Sequence, residues 1–490
     1  MKKKSAAILM LIILSPLFTL QVMANNNLVK LSETYELANI ILAMTDYGRS
    51  DPWEVNQNSA YYREVRSYFG QYLQHPLLDS VNYSRKEWEN YLSFRTDSYA
   101  FVFNETGQIV RKTFFYANKG FNPFEQHLEL INDFVKTTQF RTFYSKHSRY
   151  YKEMSIAYLK SQRYPEMIKF LSQEFSKQEV NTNYAIVISP LVGRMNCHRK
   201  VDGCQTDFST LPDFLLDGKS VNKATTEEIA SGTHMLFTEL NHGFINPVTR
   251  QYSYLLKANF DNGKWDTGSG YEIDSLATFN EYMTWAVYNI YVQKYFPKVP
   301  AKLIRNWALQ NETRGFYASS LFNSELMIIY SNRKAGQTIK DLYPVFLERL
   351  NSIQTKLSRP KITGHNFEGQ TNMDTLATIK VRFSEPMQQA DTIEVFRLVQ
   401  ENGKNILADF TLTPKDNSLE WLDNGTMLQF KLPLVKGMLN QVVFNYAWKI
   451  SNVLQSMLGI DLPPYTVINK LLLPIPEHEV NLDNRMQNPQ

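Results

Sequence analysis

The chain has 490 residues, more than one ordinary domain holds, so its length predicts two or three domains. Hydrophobic residues supply 43% of the chain and charged residues 20%, the balance of a globular protein. The formal net charge of +4 falls to about +1 without the three lysines at positions 2–4, so the charge gives no indication of nucleic-acid binding.

The N-terminus has the layout of a secretory signal peptide. In "MKKKSAAILMLIILSPLFTLQVMANNN" the three lysines precede an apolar run over residues 6–20, which ends in Val-Met-Ala. This order predicts that residues 1–24 are cleaved off after Ala24, which leaves a secreted or periplasmic chain. The alternative is an uncleaved membrane anchor, but the short apolar core and Pro16 favour cleavage. No later segment is apolar enough to cross a bilayer, so no membrane span is predicted after cleavage.

Residues 25–180 are predicted to form a helical N-terminal region. The segment "LSETYELANIILAM" places apolar residues at helical spacing after Ser32, a typical N-cap. "SAYYREVRSYFGQYLQHP" and two later segments continue the helical pattern. Aromatic residues at this spacing favour core packing, with a carbohydrate or peptide groove as the alternative.

A strand and a loop with two cysteines follow the helical region. The segment "NYAIVISPLVG", residues 183–193, predicts a strand that can pair with an extended substrate along its edge. The next loop, "MNCHRKVDGC", contains Cys197 and Cys204, the two cysteines of the chain. In an exported protein this pair predicts a disulfide. A metal role needs further ligands, and only His198 is close in sequence.

Helices are predicted again in the rest of residues 181–357. A short helix begins near residue 232 and ends at Gly243, with Pro247 as a stop signal. A longer helix covers residues 275–296, "SLATFNEYMTWAVYNIYVQKYF". Two more helices fit "LFNSELMIIYSNR" and "TIKDLYPVFLERLNSI".

Residues 358–475 change to short alternating segments. "ATIKVRFSEPM", "TIEVFRL", "SLEWLD", "TMLQFKLP" and "NQVVFNY" are separated by turn residues and predict an all-β sandwich. A short helical insertion is predicted at "ISNVLQSMLG", and residues 476–490 are predicted to form a flexible tail. The fold class is therefore α+β, with a mostly helical region followed by the sandwich.

The segment "FTELNHGFINP" resembles an active-site helix. Glu239 and His242 have the spacing of the Glu and the second His of an H-E-x-x-H helix, in which the two His bind zinc and the Glu polarises the attacking water. Glu281 in "TFNEYMTWAV", 39 residues after His242, suits the third ligand in the order of the gluzincins. Spacing alone favours a simpler interpretation, in which Glu239 and His242 are polar residues of a helix that borders a cleft.

The order of several segments resembles the secreted bacterial family called domain of unknown function 4932, which is predicted to be gluzincin-like. The resemblance rests on "TELNHGFINP" before "NEYMTWAV", on "ETYELANIILAM", on "AIVISPLVG" and on "TRGFYASSLFNSELMIIYSNR". It covers most of residues 30–475. The segment "IKVRFSEPM" is similar to bacterial S-layer-type Ig-like domains. The resemblance implies a gluzincin-like catalytic-type domain over residues 181–357 and an Ig-like sandwich over residues 358–475.

The resemblance also assigns roles to residues of the T-E-x-x-H segment. It implies that His242 and Glu281 bind zinc and that Glu239 is the catalytic base. The family has a His at the position of Thr238, and a threonine hydroxyl is a poor zinc ligand beside imidazole. Zinc is therefore the predicted cofactor only if another ligand completes the site.

Two other histidines are weak substitutes for that ligand. His234 lies one turn before Thr238, but eight residues of straight helix separate it from His242, about 12 Å. Two bonds of about 2.0–2.1 Å to one zinc ion do not span that separation. His198 is freer to move, but it occupies no known ligand position. Three alternatives stay open: a site completed by a substitute ligand, the emptied site of a pseudoenzyme, and a differently configured metal site.

Two functions follow from these alternatives. The first is a secreted zinc-metallopeptidase-like protein with weak or lost activity on a peptide or protein substrate. The second is a non-catalytic surface protein that binds a peptide or protein in the retained cleft and uses its Ig-like domain as a spacer or docking module. A hydrolase that needs only two protein ligands is a third alternative. None of the three predicts a nucleic-acid partner.

Overall fold

The chain forms a mixed fold of helices and several small sheets. The computed structural model describes residues 28–115, 121–175, 184–272, 274–299, 301–367, 376–401, 404–434, 439–445 and 453–469. The predicted signal peptide and the predicted C-terminal tail lie outside these ranges. Within them, no helix combines the length and the apolar character that crossing a membrane requires. The α+β class predicted from the sequence is confirmed at this level.

The chain divides into two compact units. The first comprises residues up to 173 together with residues 177–243, and the second comprises residues 174–176 and all residues from 244 onward. Helices that begin in the first unit are α1 Glu33–Met44, α2 Asp46–Ser50, α3 Ala60–Phe69, α4 Pro76–Ser80, α5 Trp88–Asp97, α6 Pro123–Gln126, α7 Leu128–Thr138, α8 Phe140–Lys146, α9 Ser148–Gln162, α10 Tyr164–Phe175, α11 Asp213–Leu216 and α12 Thr226–Gln251.

Helix α1 forms where the sequence predicts it. The Ser32 side chain accepts a hydrogen bond from the backbone N–H of Tyr35, and Glu33 and Glu36 place negative charge in the first turn. From Thr34 to Met44 every residue of α1 is buried. A helix that is buried on all sides lies inside a core. The aromatic residues of α3, α7 and α8 pack into that same core, which confirms the core interpretation of the aromatic stripes.

The strands of the first unit are β1 Val29–Lys30, β2 Phe101–Phe103, β3 Ile109–Arg111, β4 Tyr184–Ile188, β5 Cys197–Val201 and β6 Cys204–Ser209. Strands β2 and β3 form a small antiparallel hairpin. The other four form one sheet in the order β1-β4-β6-β5, in which β4 is parallel to β1 and β6. Strand β5 is antiparallel to β6 and lies at the edge of the sheet.

The strand predicted over residues 183–193 corresponds to β4, but its suggested role is wrong. Strand β4 ends at Ile188, and β1 and β6 pair with its two sides. An interior strand has no free edge for an extended substrate. The edge strand near the predicted site is β5, in the segment that the sequence analysis described as a loop.

The second unit combines a group of helices with β-sheets. Its helices are α13 Ser253–Asn259, α14 Asn262–Trp265, α15 Ser275–Tyr295, α16 Ala301–Thr313, α17 Ser319–Ser331, α18 Ile339–Gln354 and α19 Pro414–Asn417. Helix α15 matches the helix predicted over residues 275–296. It packs against α17 and α18 through aromatic rings, with Phe279 and Phe322 at 5.8 Å and Phe322 and Phe346 at 5.0 Å between ring centroids.

Two four-stranded sheets follow the helices of the second unit. Their strands are β7 Ile362–His365, β8 Leu376–Phe383, β9 Ile393–Glu401, β10 Lys404–Leu412, β11 Glu420–Leu422, β12 Met427–Pro433, β13 Leu439–Phe444 and β14 Tyr465–Asn469. One sheet has the order β10-β9-β13-β14 and the other β11-β12-β8-β7, and all pairs are antiparallel. Buried residues of both sheets share one hydrophobic cluster. Two sheets over a common core form the predicted sandwich.

One predicted helix end and one predicted helix are wrong. Helix α12 does not end at Gly243 but continues to Gln251, because Gly243 does not adopt the positive φ of a C-cap glycine and Pro247 lies inside the helix. The predicted helical insertion is a turn over the described residues 453–459. There the Ser456 N–H donates to the Ile460 carbonyl (2.8 Å), and Gly459 supplies the positive φ of the turn.

Candidate functional site

Helix α12 carries the T-E-x-x-H segment. Thr238 is buried, and its hydroxyl donates to the backbone carbonyl of Met235 at 2.9 Å. This bond to the preceding turn is the usual local partner of a threonine in a helix. The hydroxyl at the position where the resemblance implies a first metal ligand is therefore engaged within its own helix. His234, the weak substitute, lies one turn earlier and is also buried.

Glu239 forms a hydrogen bond with a histidine of the edge strand β5. The His198 imidazole donates from Nδ1 to Oε2 of Glu239 at 2.8 Å, and the Glu239 side chain is 16% exposed. The rings of His198 and His242 lie 5.8 Å apart between centroids. The structure therefore brings together Glu239, His242 and His198. The predicted "freer" loop position of His198 is wrong, because β5 fixes it by pairing with β6.

The β5–β6 ladder determines which way His198 faces. Asp202 and Gly203 form a two-residue turn with positive φ at both positions, so Val201 and Cys204 are a hydrogen-bonded pair. Pairs alternate along an antiparallel ladder, so His198 and Asp207 are a non-hydrogen-bonded pair. Their side chains share one face of the sheet.

Asp207 is a residue that the sequence analysis missed. It is fully buried, and neither of its carboxylate oxygens has a hydrogen-bond partner. Burial raises the pKa of the Asp207 carboxyl well above its usual range, and the negative charge of Glu239 raises it further. The signal in the sequence was an acidic residue in "TDFS", the second of four consecutive buried strand positions. This acidic residue points to the site only once the pairing of β6 with β5 is known, because that pairing places Asp207 opposite His198.

Glu281 lies on α15 in the second unit. Its carboxylate is 3.7 Å from the guanidinium of Arg314, and the Arg314 side chain is 44% exposed and stands over the ring of Phe316. A guanidinium at this carboxylate repels a metal ion that would bind there. The carboxylate that the resemblance assigns to zinc thus already has a cationic neighbour.

The residues present do not fit a zinc ion in this arrangement. A structural zinc site has four protein ligands and a catalytic one has three, drawn from His, Cys, Asp and Glu. Across the part of the chain that the structure describes, no three such side chains are grouped so that they could hold a metal. Thr238 contributes a hydroxyl that is bonded to Met235, and His198 is bonded to Glu239.

The predicted disulfide between Cys197 and Cys204 is not formed. Both cysteines are free thiols, and the ladder pairs Cys197 with Phe208 and Cys204 with Val201. Cys204 is four residues along the strand from Phe208, about 13 Å at the rise of a β-strand. Disulfides need Cα atoms within about 7 Å. Closeness in sequence suggested the bond, and the register of the hairpin prevents it.

Comparison with known proteins supports the family resemblance for the central part of the chain. Residues 116–347 match the model of a family described as domain of unknown function (DUF4932). The matched range contains α12 and α15, and therefore all the predicted site residues on them. The description of the family names no activity, and no curated protein matches the sequence.

Solved structures with a match include parts of the S-layer protein SbsC. "Structure of surface layer protein SbsC, domains 1-6" is 11% identical, covers 50% of this chain and 33% of that chain, and has a TM-score of 0.17. "Crystal structure of the S-layer protein rSbsC(31-844)" is 13% identical over 51% of this chain and 34% of that chain, with a TM-score of 0.17. This chain spans about a third of the length of both. The scores are too low to indicate a shared fold.

Proposed function

We propose that this protein is a secreted relative of gluzincin-type peptidases that has lost zinc-dependent hydrolysis and binds an extended peptide or protein segment beside Glu239. The observation that carries the proposal is the hydrogen bond from Thr238 to the Met235 carbonyl. It engages the one side chain at the family's first metal position. The sandwich is proposed to be Ig-like and to act as a spacer or docking module.

The His198–Glu239 hydrogen bond supports the loss of catalysis. A glutamate that acts as the base must accept a proton from water with a free carboxylate oxygen. The His198 imidazole occupies one of the two Glu239 oxygens, so it competes with water for this carboxylate. Charge-assisted bonds of this kind are among the stronger ones in proteins, so the imidazole is not displaced without cost.

The edge of β5 supports peptide binding. Because Val201 and Cys204 bond to each other across the ladder, His198 and Lys200 direct their backbone N–H and C=O groups away from β6. An extended peptide can pair with those groups as an added strand. Such a strand would run alongside His198, whose ring reaches Glu239. The proposed ligand is therefore an unfolded or extended segment, not a folded surface.

Metal analysis of the purified mature chain tests the loss of zinc. We expect no stoichiometric zinc in the wild type and bound zinc in Thr238→His, in which casein hydrolysis stays weak as long as His198 is bonded to Glu239. Thr226→His adds a histidine to an exposed position of the same helix and is the matched control, which should stay free of zinc. Stoichiometric zinc in the wild type that disappears in both His198→Ala and His242→Ala would establish His198 as the substitute ligand and overturn the proposal.

Fluorescence anisotropy with labelled casein, an unfolded chain, tests the binding site. Lys200→Pro removes one outward N–H of β5 and leaves the bonds to β6 in place, since prolines are tolerated on the open side of an edge strand. We expect binding to be lost in Lys200→Pro and retained in Lys200→Ala. Equal binding by both variants would place the ligand elsewhere, whatever the metal content.

A further inference from the structure

Two buried carboxyl groups meet where the helices and the sandwich of the second unit are joined. Glu312, on α16, accepts hydrogen bonds from the backbone N–H (3.2 Å) and the hydroxyl (2.7 Å) of Ser320. Asp461, in the turn before β14, forms an ion pair with Arg305 and accepts a hydrogen bond from the Gln455 side chain at 2.8 Å. Glu312 is 5% exposed and Asp461 is 3% exposed.

The contact between these two carboxyls requires a proton. Their side chains are within hydrogen-bonding reach of each other, yet two ionised carboxylates only accept. Oδ2 of Asp461 is buried and accepts no hydrogen bond from an N–H or hydroxyl group. A proton on Glu312 supplies that missing donor. Asp461 already pairs with the Arg305 guanidinium, so we place the shared proton on Glu312.

The surroundings favour this protonated state of Glu312. Burial raises the pKa of the Glu312 carboxyl well above its usual range, and the negative charge of Asp461 raises it further, while Ser320 and Arg305 act in the opposite direction. Arg359, at the start of the chain segment that leads into β7, interacts favourably with Glu312, and the buried Tyr282 of α15 also faces it. These groups surround the pair on the described elements packed against it.

We propose that Glu312 and Asp461 form a proton-dependent latch that fastens the Gln455–Asp461 turn of the sandwich to α16 and opens as the pH rises. In the closed state the Glu312 carboxyl donates to the Asp461 carboxylate. Opening releases the proton to solvent and leaves two hydrated carboxylates. The closed state binds the proton more tightly, so acidic solution favours closure and alkaline solution favours opening. The ion pair with Arg305 is present in both states, so the turn would be held to α16 more firmly at low pH than at high pH.

Hydrogen exchange of the full chain between pH 5 and pH 9 tests the latch. The probes are the amides of Ser456 and Leu462, which bond to Ile460 and Leu454 within the turn. Glu312→Gln carries a permanent amide donor in place of the proton, so comparing variant and wild type at each pH cancels the intrinsic pH dependence of exchange. We expect equal protection at pH 5. Above the titration of the latch, wild-type exchange should accelerate relative to the variant by up to about tenfold per pH unit.

Two further samples complete the experiment. Glu325→Gln removes a carboxylate that is mostly buried and accepts two hydrogen bonds from Arg349 without sharing a proton, so its effect at the turn should not vary with pH. If Glu312→Gln does not fold, the wild type alone is decisive, with Leu428 of the β8–β12 ladder as the internal reference. A wild-type ratio of turn to ladder exchange that is constant over the whole pH range would overturn the latch.

Discussion

His198 on β5 and Asp207 on β6 face each other as a non-hydrogen-bonded pair, and only His198 is bonded to Glu239. In such a pair the Cα atoms are about 4.5 Å apart, the closest approach in an antiparallel ladder. Asp207 remains buried with both oxygens unpartnered. The face of the sheet beside Glu239 therefore contains a carboxyl group whose pKa is raised well above its usual range by burial and by the charge of Glu239.

Asp207→Asn is expected to remove a pH-dependent loss of stability. The pKa of Asp207 is raised by burial and by Glu239, so the folded state binds a proton more tightly than the unfolded state. Wild-type stability then falls as the pH rises above about 4, the usual pKa of an aspartate. We measure the free energy of unfolding by chemical denaturation at pH 4 and pH 7. The difference between variant and wild type should shift in favour of the variant by at least about 1 kcal/mol from pH 4 to pH 7. Asp213→Asn, at an exposed position of α11, should follow the wild-type curve. Parallel curves for wild type and Asp207→Asn would contradict the assignment.

Glu36 gives a second pH prediction, in the core of the first unit. It is fully buried on α1, the Tyr61 hydroxyl donates to it at 2.8 Å, and burial raises its pKa to about 7. The stability that its protonation provides is present below pH 4.5 and is lost progressively up to about pH 7, on the order of 3 kcal/mol in total. In Glu36→Gln, the thermal unfolding temperature should therefore depend less on pH between pH 4.5 and pH 7 than in the wild type.

The control for Glu36 lies on the same helix. Glu33 pairs with Arg141 at 2.9 Å near the surface. Glu33→Gln should lower stability slightly and leave the slope between pH 4.5 and pH 7 unchanged, because surface ion pairs contribute about 0–1 kcal/mol. A Glu36→Gln variant with the same slope as the wild type would show that Glu36 stays ionised in the folded chain.

The free cysteines predict a thiol-labelling pattern. Burial raises the pKa of the Cys197 thiol to about 12, so little thiolate is available for reaction. In the native protein without reductant, iodoacetamide should label Cys204 first and Cys197 much more slowly, as read by peptide mass spectrometry. Both should react after denaturation, again without reductant. Resistance of both thiols in the denatured chain, relieved by reductant, would instead establish the disulfide that the sequence suggested.

Much of the fold follows from local sequence signals. Helix α1 has its N-cap at Ser32 as predicted, and α15 ends one residue before the predicted end. The five alternating segments form strands in the structure. Alternation of apolar and polar residues predicts a half-buried strand even when the partner strand is unknown. The signals failed where residues that usually end a helix lie inside one. Gly243 and Pro247 predicted the end of a helix, but α12 continues through both to Gln251.

The site was predictable only in part. The spacing of Glu239 and His242 on one helix follows from helical periodicity. The His198–Glu239 bond joins residues 41 apart and depends on the register of β5 against β6, which no local pattern specifies. The same register separates Cys197 from Cys204. Contacts that depend on strand register therefore needed the structure, whereas contacts within one helix did not.

Gly315 is expected to be intolerant of substitution, which tests the loop that leads into α15. Its φ is +109°, and a Cβ there would lie 2.5 Å from the backbone nitrogen of Ser269. The Gly315 carbonyl also accepts from the Thr267 N–H at 3.1 Å. Gly315→Ala therefore combines the strain of positive φ, about 1–2 kcal/mol, with a clash against backbone that cannot move freely. Gly336 is the matched control, because its φ is +84° and a Cβ there meets nothing within 4 Å. The thermal unfolding temperature of Gly315→Ala should be well below that of Gly336→Ala. Equal decreases in the two variants would show that the loop around Ser269 moves to make room for the added methyl group.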